Sequence, residues 1–350
     1  MRRLQHSVID SKHYDFDAIV VGSGIAGGWA AKELTEKGLK VLVLERGREL
    51  QHGSGYIGEH APDWKLPFQG KKPRQLYAEE YPVQSKVYAF NEATRHFWNN
   101  DKQNPYQVAP GREFMWARAD VVGGRSILWG RQSYRFSEQD FRANEQDGYG
   151  IPWPVDYAEI SPWYDKVERF IGVNGRNEGL PQFPDGKLQT PMPWHALEKT
   201  IQQRLQRKAP DVTLTSARAA ILTEDLPGRS ACHYCGPCHR GCSTGSYFSS
   251  LSSTLPAARA TGNLTLRANA VVQRLEYDPA TGRISRVHVI DAGTGARLAF
   301  SARLFFLCAS TVGSTQILMN STSAGFPNGL ANSSGALGRY LMDHTLGTSG

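Results

Sequence analysis

The chain has 350 residues, 40% of them hydrophobic and 21% charged, which is more chain than one compact core usually holds and predicts two domains. A peptide hormone and a disulfide miniprotein are excluded, and no window approaches the roughly 18 to 20 consecutive apolar residues of a membrane-spanning helix. The net charge of +7 comes from 40 Lys and Arg against 33 Asp and Glu; these charges are dispersed, and the densest basic stretch, residues 65–74, is broken by two prolines and reads as a solvated loop, so no nucleic-acid face is expected.

Arg2 and Arg3 open the chain, but the residues after them are polar, with no apolar h-region and no small-residue cleavage site. An export signal of the chain's own is therefore not expected. Residues 16–47, FDAIVVGSGIAGGWAAKELTEKGLKVLVLERG, are the most informative stretch. An apolar run at Ala18 to Val21 reads as a buried parallel strand, the glycines as a turn, AAKELTEKG as a helix, and Val41 to Leu44 as a second strand closing on Glu45. In this βαβ unit Gly22 permits a tight turn, Gly24 lets backbone approach a pyrophosphate, and Gly27 lets helix and strand pack closely, with phosphates at the helix N-terminus. Glu45 falls where a carboxylate accepts from the adenosine ribose hydroxyls, and it would repel a 2′-phosphate. Dinucleotide binding is favoured over a merely Gly-rich turn; NADP is disfavoured, and FAD and NAD remain.

Residues 48–112 are rich in Pro, Trp and Tyr and lack nucleotide signals. In ARADVVGGRSILWG (117–130), the pair Gly123 and Gly124 lets backbone come close to a flat ligand, while Arg125 and Ser126 offer donors. A β-bulge or turn would explain the same residues. Within 136–211, SPWYDKVERFIG reads as an amphipathic helix capped by Ser161 with Pro162 in its first turn. Trp98, Trp116, Trp153, Trp163 and Tyr164 could stack on sugar rings but read more simply as core and interface residues.

Four of the five cysteines lie in ACHYCGPCHRGCST, as Cys232-x2-Cys235-x2-Cys238-x3-Cys242. This is the spacing of a bacterial ferredoxin run, in which a looping segment delivers thiolates to one iron-sulfur cluster. Gly236 and Gly241 allow the turns it needs. Structural zinc usually draws ligands from two knuckles a dozen or more residues apart, and disulfides need an oxidising compartment, so iron-sulfur is favoured over both. The proline that follows the last ferredoxin cysteine is replaced by Ser243, and the spacing does not choose between three-iron and four-iron clusters. His233 and His239 read as loop residues rather than ligands. TGNLTLRANAVVQRLEYD reads as two short strands, IDAGTGARL as a hairpin, and Leu304 to Ala309 as a buried strand containing a packed thiol, Cys308. STVGSTQILMNS then begins a helix with Ser310 as its cap.

Taken in order, the N-terminal βαβ unit, GGRSILWG, WGRQSYRFSEQDF, PWPVDYAEISPWYDKVERFIGV, the cysteine run, STLPAARATGNLTLRANAVV and LFFLCASTVGSTQIL resemble the glucose-methanol-choline (GMC) oxidoreductases. The likeness is greatest to the pyranose oxidase and sugar dehydrogenase branch, of the glucoside 3-dehydrogenase type. These segments touch most of the chain, and their order, not one motif, is specific. The resemblance implies an α/β fold in which a Rossmann-like FAD-binding domain with a parallel sheet is interleaved with an α+β substrate or cap domain. The FAD pieces would be 1–47, the loop 113–135 and 212–350, which includes the Cys-rich loop 231–243; the cap pieces would be 48–112 and 136–211.

It further implies FAD contacts from Gly22, Ser23, Gly24, Gly27, Glu45, Arg46, Gly123, Gly124, Arg125, Ser126, Trp129, Gly130, the backbone of Val272, and Ala309. Gly313 and Ser314 replace the family's more usual Ser-Pro pair. Some relatives attach the flavin through a histidine where this chain has Leu128, so non-covalent FAD is expected. A cluster held by Cys232, Cys235, Cys238 and Cys242 is implied as an electron relay.

The activity implied is FAD-dependent oxidation of a CH–OH group of a sugar or glucoside, at C3 in the glucoside 3-dehydrogenase type. Electrons would leave through the cluster to an acceptor other than oxygen, such as a cytochrome or quinone. The family's base is a histidine from a C-terminal half that follows LMDH; the sequence stops at Gly350, so it reads as a fragment, the substrate domain is expected to be absent, and no catalytic residue is named. His344 reads as a structural residue near the flavin, not the base. A non-catalytic FAD- or cluster-binding fragment, a pyranose or polyol oxidase, a gluconate-type dehydrogenase and a zinc-stabilised binding protein are the alternatives. A small signal-bearing subunit is an implied partner, which leaves location open between cytoplasm and periplasm.

Overall fold

The structure, a computed structural model, describes residues 14–342; Arg2, Arg3 and His344 lie outside the described residues. Short 3-10 turns aside, the elements are β1 (Phe16–Val21), α1 (Ile25–Glu36), β2 (Val41–Leu44), α2 (Arg74–Glu80), α3 (Glu138–Asp147), α4 (Tyr157–Ile171), α5 (Ala196–Lys208), α6 (Thr254–Ala260), β3 (Leu264–Arg267), β4 (Ala270–Asp278), β5 (Arg283–Asp291), β6 (Arg297–Leu307) and α7 (Ser310–Asn320). They form two compact units: among the described residues one takes 14–49, Asp120–Gly124 and 254–342, the other Leu50–Ala119 and Arg125–Ser253.

The first unit is a six-stranded sheet of order β3-β2-β1-β6-β5-β4. β3, β2, β1 and β6 run parallel, whereas β6, β5 and β4 form an antiparallel meander. The 11 residues of β6 are long enough to serve both: Ala302 to Leu307 register with β1 and Arg297 to Ser301 with β5. Alternation sorts the apolar side chains by face. Ala18, Val20, Val41 and Val43 pack with Ala31 of α1 and Ala258 of α6, while Ile19, Val21, Leu42 and Leu44 pack with the meander and Ile317 of α7. Burying one such aliphatic side chain stabilises by about 1.5–3 kcal/mol, so sheet order and face are set mainly by this pattern.

The second unit is built from α2 to α5 and long connections, and its pairing is confined to isolated bridges such as Asn174 with Ala219 and Ile221 with Tyr247. An ion-pair knot holds α4 in place: Arg135 pairs with the buried Glu168 and with Asp165 at 2.6 Å. Its guanidinium also donates to Tyr157 Oη at 3.1 Å.

Several expectations are corrected. α4 begins at Tyr157 under a capping box of Asp156 and Glu159, so Ser161 is not its cap and Pro162 lies inside the helix; the reciprocal Asp-x-x-Glu bonds outweigh the proline signal. Ser310 is the first residue of α7, with φ of 64°, and Ala309 stands before it with no side-chain cap. β6 is not wholly buried: Leu304 and Phe306 register with Ala18 and Val20, but α1 and α6 cover the latter and leave the former 45% and 37% exposed. Trp153 and Trp163 are exposed, whereas Trp98 is buried. Arg74, expected in a loop, opens α2. Residues 212–253, cysteine loop included, fall within the second unit.

Candidate functional site

The glycine turn is shaped by lack of room. Gly22 has φ of +97°, and a Cβ there would lie 2.5 Å from the carbonyl oxygen of Cys308; a Cβ at Gly27 would strike the carbonyl of Gly22. Gly24 differs, because a Cβ there would meet nothing within 4 Å. It stands at the N-cap of α1 with no side-chain cap and no acidic residue in the first turn. The unpaired N–H groups of a helix start, with their partial positive charge, therefore face open space, an arrangement that fits a diphosphate.

Ser23 and Glu45 lock this turn. The Ser23 N–H and hydroxyl both donate to Glu45 Oε2, at 2.9 and 2.6 Å, and Gly47 N–H donates to Oε1 at 2.8 Å. Glu45, expected from sequence to accept from a ribose, is buried and already engaged on both oxygens. Oε2 already accepts two bonds, but Oε1 accepts one and keeps a second acceptor direction, so locking the turn and holding a ribose are compatible. Gly123 N–H donates to Ser23 Oγ at 2.8 Å, and a Cβ on Gly124 would come within 3.6 Å of Gly24 Cα. The two glycine segments, a hundred residues apart in sequence, thus meet at one place. Arg46 lies 3.4 Å from Asp120. Val272 sits in β4 opposite Val289, where a bulge intervenes before Arg274, and Ala309 follows the Cys308 that pairs with Val21.

Arg125, Ser126, Trp129 and Gly130 belong to the second unit. Arg125 donates to Ala117 O at 3.3 Å, Ser126 Oγ accepts from Ser250 N–H at 3.0 Å, and Trp129 Nε1 donates to Phe248 O at 2.9 Å. Ser126 is buried. These bonds anchor the loop to the segment that follows the cysteines.

In the same unit Cys232, Cys235, Cys238 and Cys242 open onto one cavity, with Glu59, His60, His233 and Tyr247 also in its wall. All four thiols are free. Gly236 and Gly241, at φ of +92° and +113°, make the turns, and a Cβ at Gly241 would strike the Tyr56 ring. Glu59 accepts from Ser243 N–H at 2.7 Å. Burial pushes the Cys232 and Cys238 thiols above their ordinary value, with Arg131 working against the rise at Cys238; a metal would have to displace their protons. Burial likewise pushes the Arg229 guanidinium down to about 10, against the pull of Cys242. Among the described residues, no three His, Cys, Asp or Glu side chains already form a cage for an ion. Tyr247 is a wall residue that spacing alone did not reveal, and Arg131 and Arg229 stand behind the wall, bonded to the carbonyl oxygens of its residues Cys238 and Ser246.

A parallel sheet with a capless, glycine-lined helix start and a carboxylate at the end of the second strand defines a dinucleotide-binding α/β protein. Residues 16–346 match the family model described as GMC oxidoreductase, and the chain belongs to that family, whose members are FAD-dependent dehydrogenases and oxidases. It is 28% identical over 343 residues to 2-methyl-1,2-propanediol dehydrogenase of Mycolicibacterium austroafricanum, covering 94% of this chain and 55% of that protein. It is 25% identical to the fructose dehydrogenase large subunit of Gluconobacter japonicus, covering 94% and 58%. The gluconate 2-dehydrogenase flavoprotein of Pantoea cypripedii is 26% identical, covering 95% and 56%. The chain thus spans about half the length of the curated relatives it matches. Among solved structures, pyridoxine 4-oxidase from Mesorbium loti aligns with a TM-score of 0.48 at 17% identity, covering 87% of this chain and 51% of that one.

Proposed function

We propose that this chain is the FAD-binding part of a dehydrogenase that oxidises a CH–OH group of a sugar or glucoside and passes electrons through a cysteine-bound iron-sulfur cluster to an acceptor other than oxygen. The observation that carries the reading is the open, capless start of α1 at Gly24, beside the buried Ser23–Glu45 lock. FAD, when bound, supplies the two-electron acceptor for hydride removal from the alcohol carbon. Gly22, Ser23, Gly24, Gly27, Glu45, Arg46, Gly123, Gly124, Val272 and Ala309 of the first unit would hold it, and Arg125, Ser126, Trp129 and Gly130 are proposed as further FAD contacts on the family resemblance. The turn's backbone N–H groups bind the diphosphate, and Glu45 orients both the turn and the ribose. Leu128 in place of an attaching histidine supports non-covalent binding. The relatives named for fructose, gluconate and a propanediol all point to an alcohol carbon as the reacting group; no described side chain is assigned as base.

The cluster is supported by four free thiols around one cavity. A small signal-bearing subunit and a cytochrome or quinone acceptor complete the proposal.

The test is direct. Purified protein is expected to be yellow-brown, to release FAD intact on acid treatment, to contain iron and acid-labile sulfide, and to reduce an artificial acceptor with glucosides without consuming oxygen. Colourless protein with bound zinc would overturn the reading. Flavin without iron would remove the relay but keep the nucleotide site.

A further inference from the structure

Two buried arginines stand beside the cysteine cavity, and among the described residues neither has a carboxylate partner. Arg131 is 6% exposed and has φ of 65°, a conformation that costs a residue with a Cβ about 1–2 kcal/mol. Its Nη2 donates to Cys238 O at 2.6 Å and to Ile127 O at 3.2 Å, and the guanidinium lies 4.0 Å from the centre of the Tyr247 ring. Its buried Nε has no partner. Arg229, also 6% exposed, donates to Gly245 O at 2.8 Å, to Phe170 O at 3.3 Å and to Ser246 O at 3.5 Å. Carbonyl oxygens satisfy these N–H groups but do not neutralise the charge, so the desolvation of each cation lacks a matching anion. Glu59, the carboxylate in the cavity wall, is engaged by the Ser243 N–H.

A group held by several thiolates is that missing anion, because the thiolate charges exceed those of the metal core. We propose that Arg131 and Arg229 are the counter-cations of the group bound by Cys232, Cys235, Cys238 and Cys242, and that they favour its electron-rich state and raise its reduction potential. The proposal rests on the iron-sulfur reading above. An added electron makes the bound group more negative, and a buried guanidinium held directly behind the cavity wall stabilises that state more than the oxidised one. No bond is made or broken. Tyr247 acts as a positioning residue: its ring carries Arg131, and its hydroxyl donates to Ile127 O at 2.9 Å.

The experiment compares the iron-loaded, flavin-containing protein with R131K, R131M, R229K and R229M, reading iron and sulfide content and the cluster and flavin potentials in an EPR-monitored redox titration. Each Met variant is expected to shift the cluster's reduction equilibrium about tenfold toward the oxidised form, about 59 mV for one electron. The Lys variants should keep most of the wild-type value, and the flavin potential should stay put. Loss of iron from the Met variants with retention in the Lys variants supports the same role. Unchanged cluster potentials in iron-replete Met variants, or iron lost equally from Lys and Met variants, would overturn it. Wild-type protein lacking iron and sulfide overturns the cluster reading itself, and the counter-cation role with it.

Discussion

At the glycine turn the backbone is in place before any ligand arrives: Gly22 and Gly27 leave no room for another path, and Ser23 and Glu45 bond to each other and to Gly47 and Gly123. At the cysteine loop the wall is in place but the charges are not matched. Two buried guanidiniums without a carboxylate partner stand behind a cavity lined by four free cysteines, and no single-ion cage exists among the described residues. On the proposed reading the first site would bind with groups already held in place by local packing, and the second would be completed electrostatically by what it binds. A preformed cradle depends on sterics and fails with one methyl group too many, whereas an unbalanced cavity depends on charge and fails when that charge is removed.

The severest test of the first half of that contrast is Gly27→Val. Its side chain would collide with the Gly22 carbonyl, and the protein is expected to lose its flavin entirely and about 3 kcal/mol of stability, read from the 450 nm absorbance per protein and from urea unfolding. Retention of flavin would show that the turn can move aside. Cys238→Ser should do the reverse, losing iron while flavin content holds, as metal analysis beside the same absorbance would show; joint loss of both would mean that the two sites are not separable.

A smaller effect is expected from Glu45→Gln. It keeps the shape but removes charge-assisted bonds to Ser23 and Gly47, costing about 2 kcal/mol, or near thirtyfold in FAD affinity by fluorescence titration. The smallest lies outside either site. The Lys40 backbone N–H, with Arg303, holds the Asp17 carboxyl below its ordinary value of 3.8. This lowered group contributes stability that is present above the ordinary value and lost as pH falls below it. Asp17→Asn should cost about 0.5 kcal/mol at pH 7, in urea titrations, with the difference narrowing below pH 3.8, and should leave flavin and iron contents unchanged.

The βαβ unit was legible because its signals are local: an apolar run, glycines at fixed spacing and an acid at the end of the next strand can each be read without knowing what they touch. The strands at 264–278 and the helix after Ala309 were legible for the same reason. The start of the helix around Pro162 differs from the expectation because proline signals compete with a capping box whose N-cap, Asp156, lies five residues before Ser161, and Leu304 and Phe306 differ because an apolar run does not say which face a neighbouring helix covers. Arg131 and Arg229 carried no signal at all, since arginine in a polar loop normally points to water.

The sequence by itself determined the nucleotide turn, the cysteine spacing and the order of segments that place the chain in its family, because those depend on near neighbours. Only the tertiary structure decided that Glu45 locks the turn, that Gly123 meets Ser23 across a hundred residues, and that the cysteine loop belongs to the unit without the sheet. The same holds for the two arginines: their charge is written in the sequence, but their burial is a property of the packed chain, and burial is what turns an ordinary cation into one that needs an anion.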